Sequence, residues 1–211
     1  MQTHLQSWRA SASILSLALC LALPAAAKDK EPPAKAPEMS AEHKAMMDAW
    51  QKAATPGAQH KQLSEQFAGT WNTKMSAWME PGGEPIVETG KSVNTAIFDG
   101  RQLRMDYTGT FMGQPYTGVG YSGYNNVTGK YHSTWTDNMS TGIFVAEGDY
   151  DAGRKTYTYA GQMPDPMKPG TTIAVREVLR MVDKDRHVLE MYEQRDGKEF
   201  KTMEIDFKRA K

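Results

Sequence analysis

Cysteine is almost absent: Cys20 is the only one in 211 residues. A chain with one thiol closes no internal disulfide, so its fold must be held by burial alone. An excess of one charge is also missing, since 25 basic side chains stand against 25 acidic ones. That balance leaves no electrostatic footprint for nucleic acid or for an anionic membrane surface. No uninterrupted apolar run approaches the roughly 20 residues of a membrane-crossing helix; the stretch Ile14 to Leu23 has ten. Serine and cysteine nucleophile motifs are lacking. Gly118-x-Gly120-x-x-Gly123 lies in a strand pattern with no helix after it, so it is not a phosphate-binding loop. His43, His60, His132 and His187 lack the paired short spacings of zinc sites. No metal or cofactor is expected, and a zinc or haem role would rest mainly on His60.

What is present begins with a leader. Arg9 supplies a positive flank, Ile14 to Leu23 an apolar segment, and Ala25-Ala26-Ala27 a small-residue cleavage site. Together they predict a secretory signal peptide cleaved after Ala27, and a periplasmic or secreted destination. Cys20 follows Leu19 rather than a small residue, which argues against a lipid anchor. Removing 27 of 211 residues leaves 184, enough for one domain with a sizeable core. Residues 28–39 (KDKEPPAKAPEM) are charged and proline-rich and read as a disordered linker. Residues 40–67 read as a helical segment. Ser40 is placed to cap a helix to about Ala54, with Met46, Ala49, Trp50 and Ala53 forming an apolar stripe. A shorter helix follows, with His60, Leu63 and Phe67 on one side, and both helices are expected to cover an end or face of the domain.

From Gly69 the apolar period changes from 3.6 residues to two. Trp71, Met75 and Met79 alternate with polar positions, as do Leu103, Met105 and Tyr107, and later Ile173, Val175, Leu179 and Met181. Turn signals separate these runs, among them Pro81-Gly82-Gly83, Asp99-Gly100, Asn125 to Lys130 and Asp183-Lys184-Asp185. About ten short strands without intervening helices predict a mainly β fold over residues 68–211. The pattern is that of an antiparallel up-and-down barrel closing on itself, with a two-sheet sandwich as the rival. At the centre lies Gly118 to Asp137, GVGYSGYNNVTGKYHSTWTD, two aromatic-rich runs around a turn. Tyr131, Ser133, Trp135 and Asp137 share the face expected to be buried, and His132 the face expected to meet solvent.

The series His60-x-x-Leu63, Gly69-x-Trp71, Gly100-Arg101, Gly118-x-Gly120-x-x-Gly123-Tyr124, Tyr131-x-x-x-Trp135-x-Asp137 and Gly148-x-Tyr150-Asp151 resembles the bacterial family catalogued as domain of unknown function 1579. The resemblance runs from about His60 to Arg209 and implies a small lipocalin-like barrel without implying an activity. Asn125 departs from the Asp usual in the family after Gly-Tyr, so an essential carboxylate at that turn is not expected.

A barrel of this size has room inside for one small ligand, and ligand cavities combine aromatic walls with few polar groups. Trp71, Tyr107, Tyr121 and Trp135 are the candidate walls for a small hydrophobic molecule, with Asp137 or Arg101 fixing its polar end. Asp137 could instead accept backbone N–H bonds from the turn at Asn138 to Thr141. Glu177 interrupts an apolar face and could pair internally with Arg101, or lie on a bulge facing outward. An acid–base enzyme using Asp137 or Glu177, and an interaction module docking through the Met46/Trp50 helix, are the alternatives. Methionine is plentiful, 14 in all. Met163-x-x-x-Met167 would suit Cu(I), whereas Met75, Met79, Met105, Met181 and Met203 fit as gap-fillers on strand faces. Asn126-Val127-Thr128 and Asn138-Met139-Ser140 match glycosylation sequons but read as turns.

Overall fold

A computed structural model describes residues 39–195 and 197–211. The predicted leader with Cys20, nearly all of the linker, and Asp196 of the last turn lie outside the described residues. Two helices come first, α1 (Ala41–Ala54) and α2 (Ala58–Phe67). Ten strands follow: β1 (Gly69–Ala77), β2 (Ile86–Ile97), β3 (Gln102–Phe111), β4 (Gln114–Asn125), β5 (Lys130–Asp137), β6 (Phe144–Asp151), β7 (Thr156–Pro164), β8 (Thr172–Asp183), β9 (Arg186–Arg195) and β10 (Lys198–Arg209). Each strand pairs antiparallel with its sequence neighbours, and β1 pairs with β10, so the sheet closes into an up-and-down barrel and the sandwich is ruled out. Closure removes every free edge, which suits a sheet with no cross-links to protect it. Among the described residues no helix is long and apolar enough to cross a membrane.

The turns follow from local chemistry. Met112 and Gly113, both at positive φ, join β3 to β4 in the two-residue geometry whose twist matches the flanking strands. Asn125 folds back so that its side chain accepts from the Val127 and Thr128 N–H groups. It keeps the turn without needing a charge.

One end of the barrel is plugged. Leu63 and Phe67 of α2 pack into a buried cluster with Leu103, Tyr131, Ala146, Tyr157, Tyr159 and Met181. The hydroxyl of Tyr157 donates to Gln66 Oε1 at 2.7 Å and accepts from Gln62 Nε2 at 2.7 Å, so the plug leaves this polar atom satisfied. Arg209, near the end of β10, lies 4.1 Å over the Trp71 ring and donates to the Ala68 and Gln66 carbonyls at 2.8 and 3.3 Å. It also reaches Lys184 O and Asp185 in the β8–β9 turn. The last strand is thereby tied to the end of α2 and to the start of β1. Gly69 sits at φ +123, where a Cβ would meet Arg209 Nη1 at 2.7 Å, so that staple also needs a glycine there.

Among the described residues only α2 covers the barrel. Ser40 caps α1 as expected, accepting from His43 N–H at 3.2 Å, but α1 buries none of its residues. Its Met46, Met47 and Trp50 are exposed. The helix is held by its C-terminal end alone: Arg101 Nε donates to Ala54 O, and Asn126 Nδ2 to Ala53 O and Thr55 O. The expectation that both helices cover the domain is therefore corrected for α1, whose apolar stripe meets no barrel surface.

Replacing Arg209 by Ala should lower stability by roughly 2–4 kcal/mol, from lost charged hydrogen bonds and the cation–π contact. Chemical denaturation of the variant is the check, and a change within about 0.5 kcal/mol, the size usual for an unengaged surface site, would contradict the staple.

Candidate functional site

Pairing fixes which side chains point inward. Trp71 opposes Ser92, Ser92 opposes Tyr107, and Tyr107 opposes Gly118, which in turn opposes Asp137. Opposed residues share a face, so all of these line the interior. By the same register Gly120 faces Trp135, Tyr159 faces Glu177, and Glu177 faces Met191.

Large rings on this inner face lie along the wall. A Cβ on Gly118 would stand 2.2 Å from Trp135 Cζ2, and one on Gly120 2.9 Å from its Cε3. The indole is thus laid flat across two glycines of the neighbouring strand. Tyr107 does the same over Gly90, where a Cβ would meet its hydroxyl at 2.5 Å, and Phe144 over Gly161 at 2.9 Å. Met105, Ser133, Trp135, Phe144, Met191 and Met203 face inward yet are only half-buried. Away from α2 the inner face carries methionine and aromatic side chains, these half-buried, and others, among them Met75, Tyr107, Ile173 and Val175, that are buried, while the α2 end is filled.

The predicted residues divide between these regions. Trp135 and Tyr107 are on the lumen wall, and the Tyr107 hydroxyl is within 3.1 Å of Thr73 Oγ1. Trp71 is fully buried in the plug, where its Nε1 donates to Phe67 O at 2.8 Å, so it is not a lumen wall. Tyr121 has the opposite parity from Gly120 and is exposed on the outer surface, which corrects its place as an interior wall. Arg101 is corrected too. It lies in the β2–β3 turn, bonded to Ala54 O, Phe98 O and Asp99, and does not pair with Glu177.

Asp137 sits at the rim, engaged on both sides. Its Oδ2 accepts from the Tyr116 hydroxyl at 3.0 Å and Trp135 Nε1 at 3.1 Å, and its Oδ1 from the N–H groups of Met139 and Ser140. It serves the β5–β6 turn and fixes the indole. Burial first, and the Asp137 charge among the smaller causes, hold the Tyr116 phenol well above its ordinary value, so it remains a donor.

His132 does face outward, but it is half-covered rather than solvated, with Nε2 2.9 Å from Gln102 Oε1. His60 Nδ1 accepts the Gly57 N–H at 3.0 Å and starts α2, which commits that nitrogen to the fold. Met163 points inward from β7, whereas Met167 is exposed in the following loop, so the two thioethers share no face.

Glu177 is the unusual group. It is inward, 9% exposed, and neither hydrogen bond nor cation offsets its burial among the described residues. Burial alone pushes its carboxyl up to about 7 from the ordinary 4.5. Beside it, the Tyr159 hydroxyl is buried without a hydrogen-bond partner. Ser122 is close enough to ease that phenol's pKa but is not placed to bond it. Nothing in the local sequence marked Tyr159, because its tie to Glu177 is a cross-strand register.

Because the folded-state pKa of Glu177 lies above the unfolded one, the native state retains a proton that the unfolded state has lost. The stability cost is absent below about pH 4.5, grows as pH rises, and is complete above about 7. His187, in the plug against Phe67, Trp71 and Phe207, is pushed down to about 3 by burial and then by Arg209, so its contribution is lost as pH falls below 6.5. Measured as a difference, Glu177→Gln should match wild type near pH 4 and exceed it by roughly 3 kcal/mol at pH 8. A difference independent of pH would contradict this. Gly118→Val should drive the indole off the wall at a cost of roughly 1–3 kcal/mol, read by denaturation and by a shifted tryptophan emission. An unshifted emission would mean that Trp135 does not lie there.

No curated protein matches the chain. A family model described as protein of unknown function (DUF1579) matches residues 55–209, which takes in α2 and all ten strands. The chain belongs to that family.

Proposed function

We propose that this protein is an exported carrier or receptor that binds a small, largely apolar molecule in its barrel lumen. The observation that carries the reading is the half-buried state of inward Met105, Trp135, Phe144, Met191 and Met203 in a barrel whose other end is sealed. Apolar, adaptable walls with few polar groups are the usual make-up of a small-molecule site, and methionine suits irregular ligands. Export is supported by the leader pattern of residues 1–27. An acid–base enzyme has less in its favour, because the oxygens of Asp137 are taken up by Tyr116, Trp135 and the turn, three strands away from Glu177. An interaction role has one observation behind it, the uncovered Met46/Trp50 face of α1.

Apolar probes should quench tryptophan emission, and Trp135→Phe should remove most of that quenching. A broad series of apolar probes without any effect on emission or heat would overturn the reading. Material secreted by its own host should begin at Lys28; a chain retained inside the cell with Met1 intact would overturn the export.

A further inference from the structure

Resting on the lumen reading, we infer that the ligand carries an amine, and that the carboxyl of Glu177 is the group that receives it. The inward carboxylates of the barrel are Glu88, Asp137, Glu177 and Glu193. Three of them are already served. Thr110 Oγ1 and the Gly113 N–H donate to Glu88, Tyr116 and Trp135 donate to Asp137, and Arg195 Nη2 lies 2.7 Å from Glu193. Only Glu177 has no partner among the described residues.

Inward cations are confined to the two ends. Arg209 is spent on Trp71 and the α2 carbonyls, and Arg195 pairs with Glu193 at the rim. The outward residues flanking Glu177 on β8 are Arg176 and Val178, and the Arg176 guanidinium is held outside by Glu199 and the Tyr192 ring. Among the described residues the inner face around Glu177 therefore offers a carboxyl and no cation to receive a ligand carboxylate or phosphate.

A second, independent sign comes from Tyr159. Its hydroxyl is buried beside Glu177 with no partner, although buried hydroxyls are almost always satisfied. An ionised carboxylate at this depth is stabilised by a cation that brings hydrogen-bond donors with it, and its cross-strand neighbour Tyr159 has a hydroxyl still without a partner. An alcohol could offer one donor without the charge. A fatty acid would add a second negative charge to an unrelieved one. The sites around Glu177 thus select an apolar body with a primary or secondary amine, seated with its nitrogen toward β8 and its carbon chain along Trp135 and the methionines.

The test uses n-octylamine, n-octanol and n-octanoate, three probes of one shape, titrated into the purified protein below their aggregation limits and followed by calorimetry. Octylamine should bind at least tenfold more tightly than octanol, and octanoate most weakly. In Glu177→Gln the preference for amine over alcohol should collapse to within about threefold, while octanol binding persists. Equal binding of octylamine and octanol to the wild type, which requires no variant to fold, would overturn the amine assignment and leave the lumen reading intact. A preference that survives in Glu177→Gln would overturn the role of that residue. If none of the three probes binds, both the inference and the lumen reading fall.

Discussion

Contact between a flat indole and a bare backbone sets the character of this protein. Trp135 lies across Gly118 and Gly120, and the ring's thickness fills the space that two side chains would otherwise occupy. A ten-stranded barrel is wide, and inward rings standing upright would fill it. Laying Trp135, Tyr107 and Phe144 sideways onto glycines places their apolar area on the wall, where it contributes to burial.

The two ends are treated differently from the middle. At the α2 end, Tyr157, Trp71 and Arg209 each have their polar atoms bonded to carbonyls or side chains of the plug. At the opposite rim, Asp137 gathers Tyr116, Trp135 and two backbone N–H groups. Satisfaction is incomplete even at the α2 end, because the buried His187 Nδ1 has no partner among the described residues. Glu177 and its cross-strand neighbour Tyr159 are unsatisfied as well, at a cost to the folded state.

Much of this was legible from the residue order because strand parity is a strict period. The alternation of Tyr131, Ser133, Trp135 and Asp137 placed that face inward, and the glycines of the preceding run were legible as seats for large rings. Parity misled only where it was not followed through: Tyr121 falls between Gly120 and Ser122, the inward positions, and so had to face out. Trp71 was on the correct face, but its depth along the barrel depends on where α2 ends. The pairing of Arg101 with Glu177 failed because it joined two residues across the fold without register to support it. The turn that carries Arg101 is instead drawn to the C-terminus of α1, whose carbonyls need donors. For α1, an apolar stripe fixed amphipathicity but not a partner within the chain.

Ligand binding inside the barrel requires that the interior be open in solution and that Glu177 look into it. A crystal structure of the protein is the most direct measurement. The account predicts Trp135 flat against Gly118 and Gly120, with ordered water or a retained small molecule on the Glu177 carboxyl. An interior closed by Trp135, Met105, Met191 and Met203 meeting at the axis, with Glu177 turned to the outer surface, would contradict it.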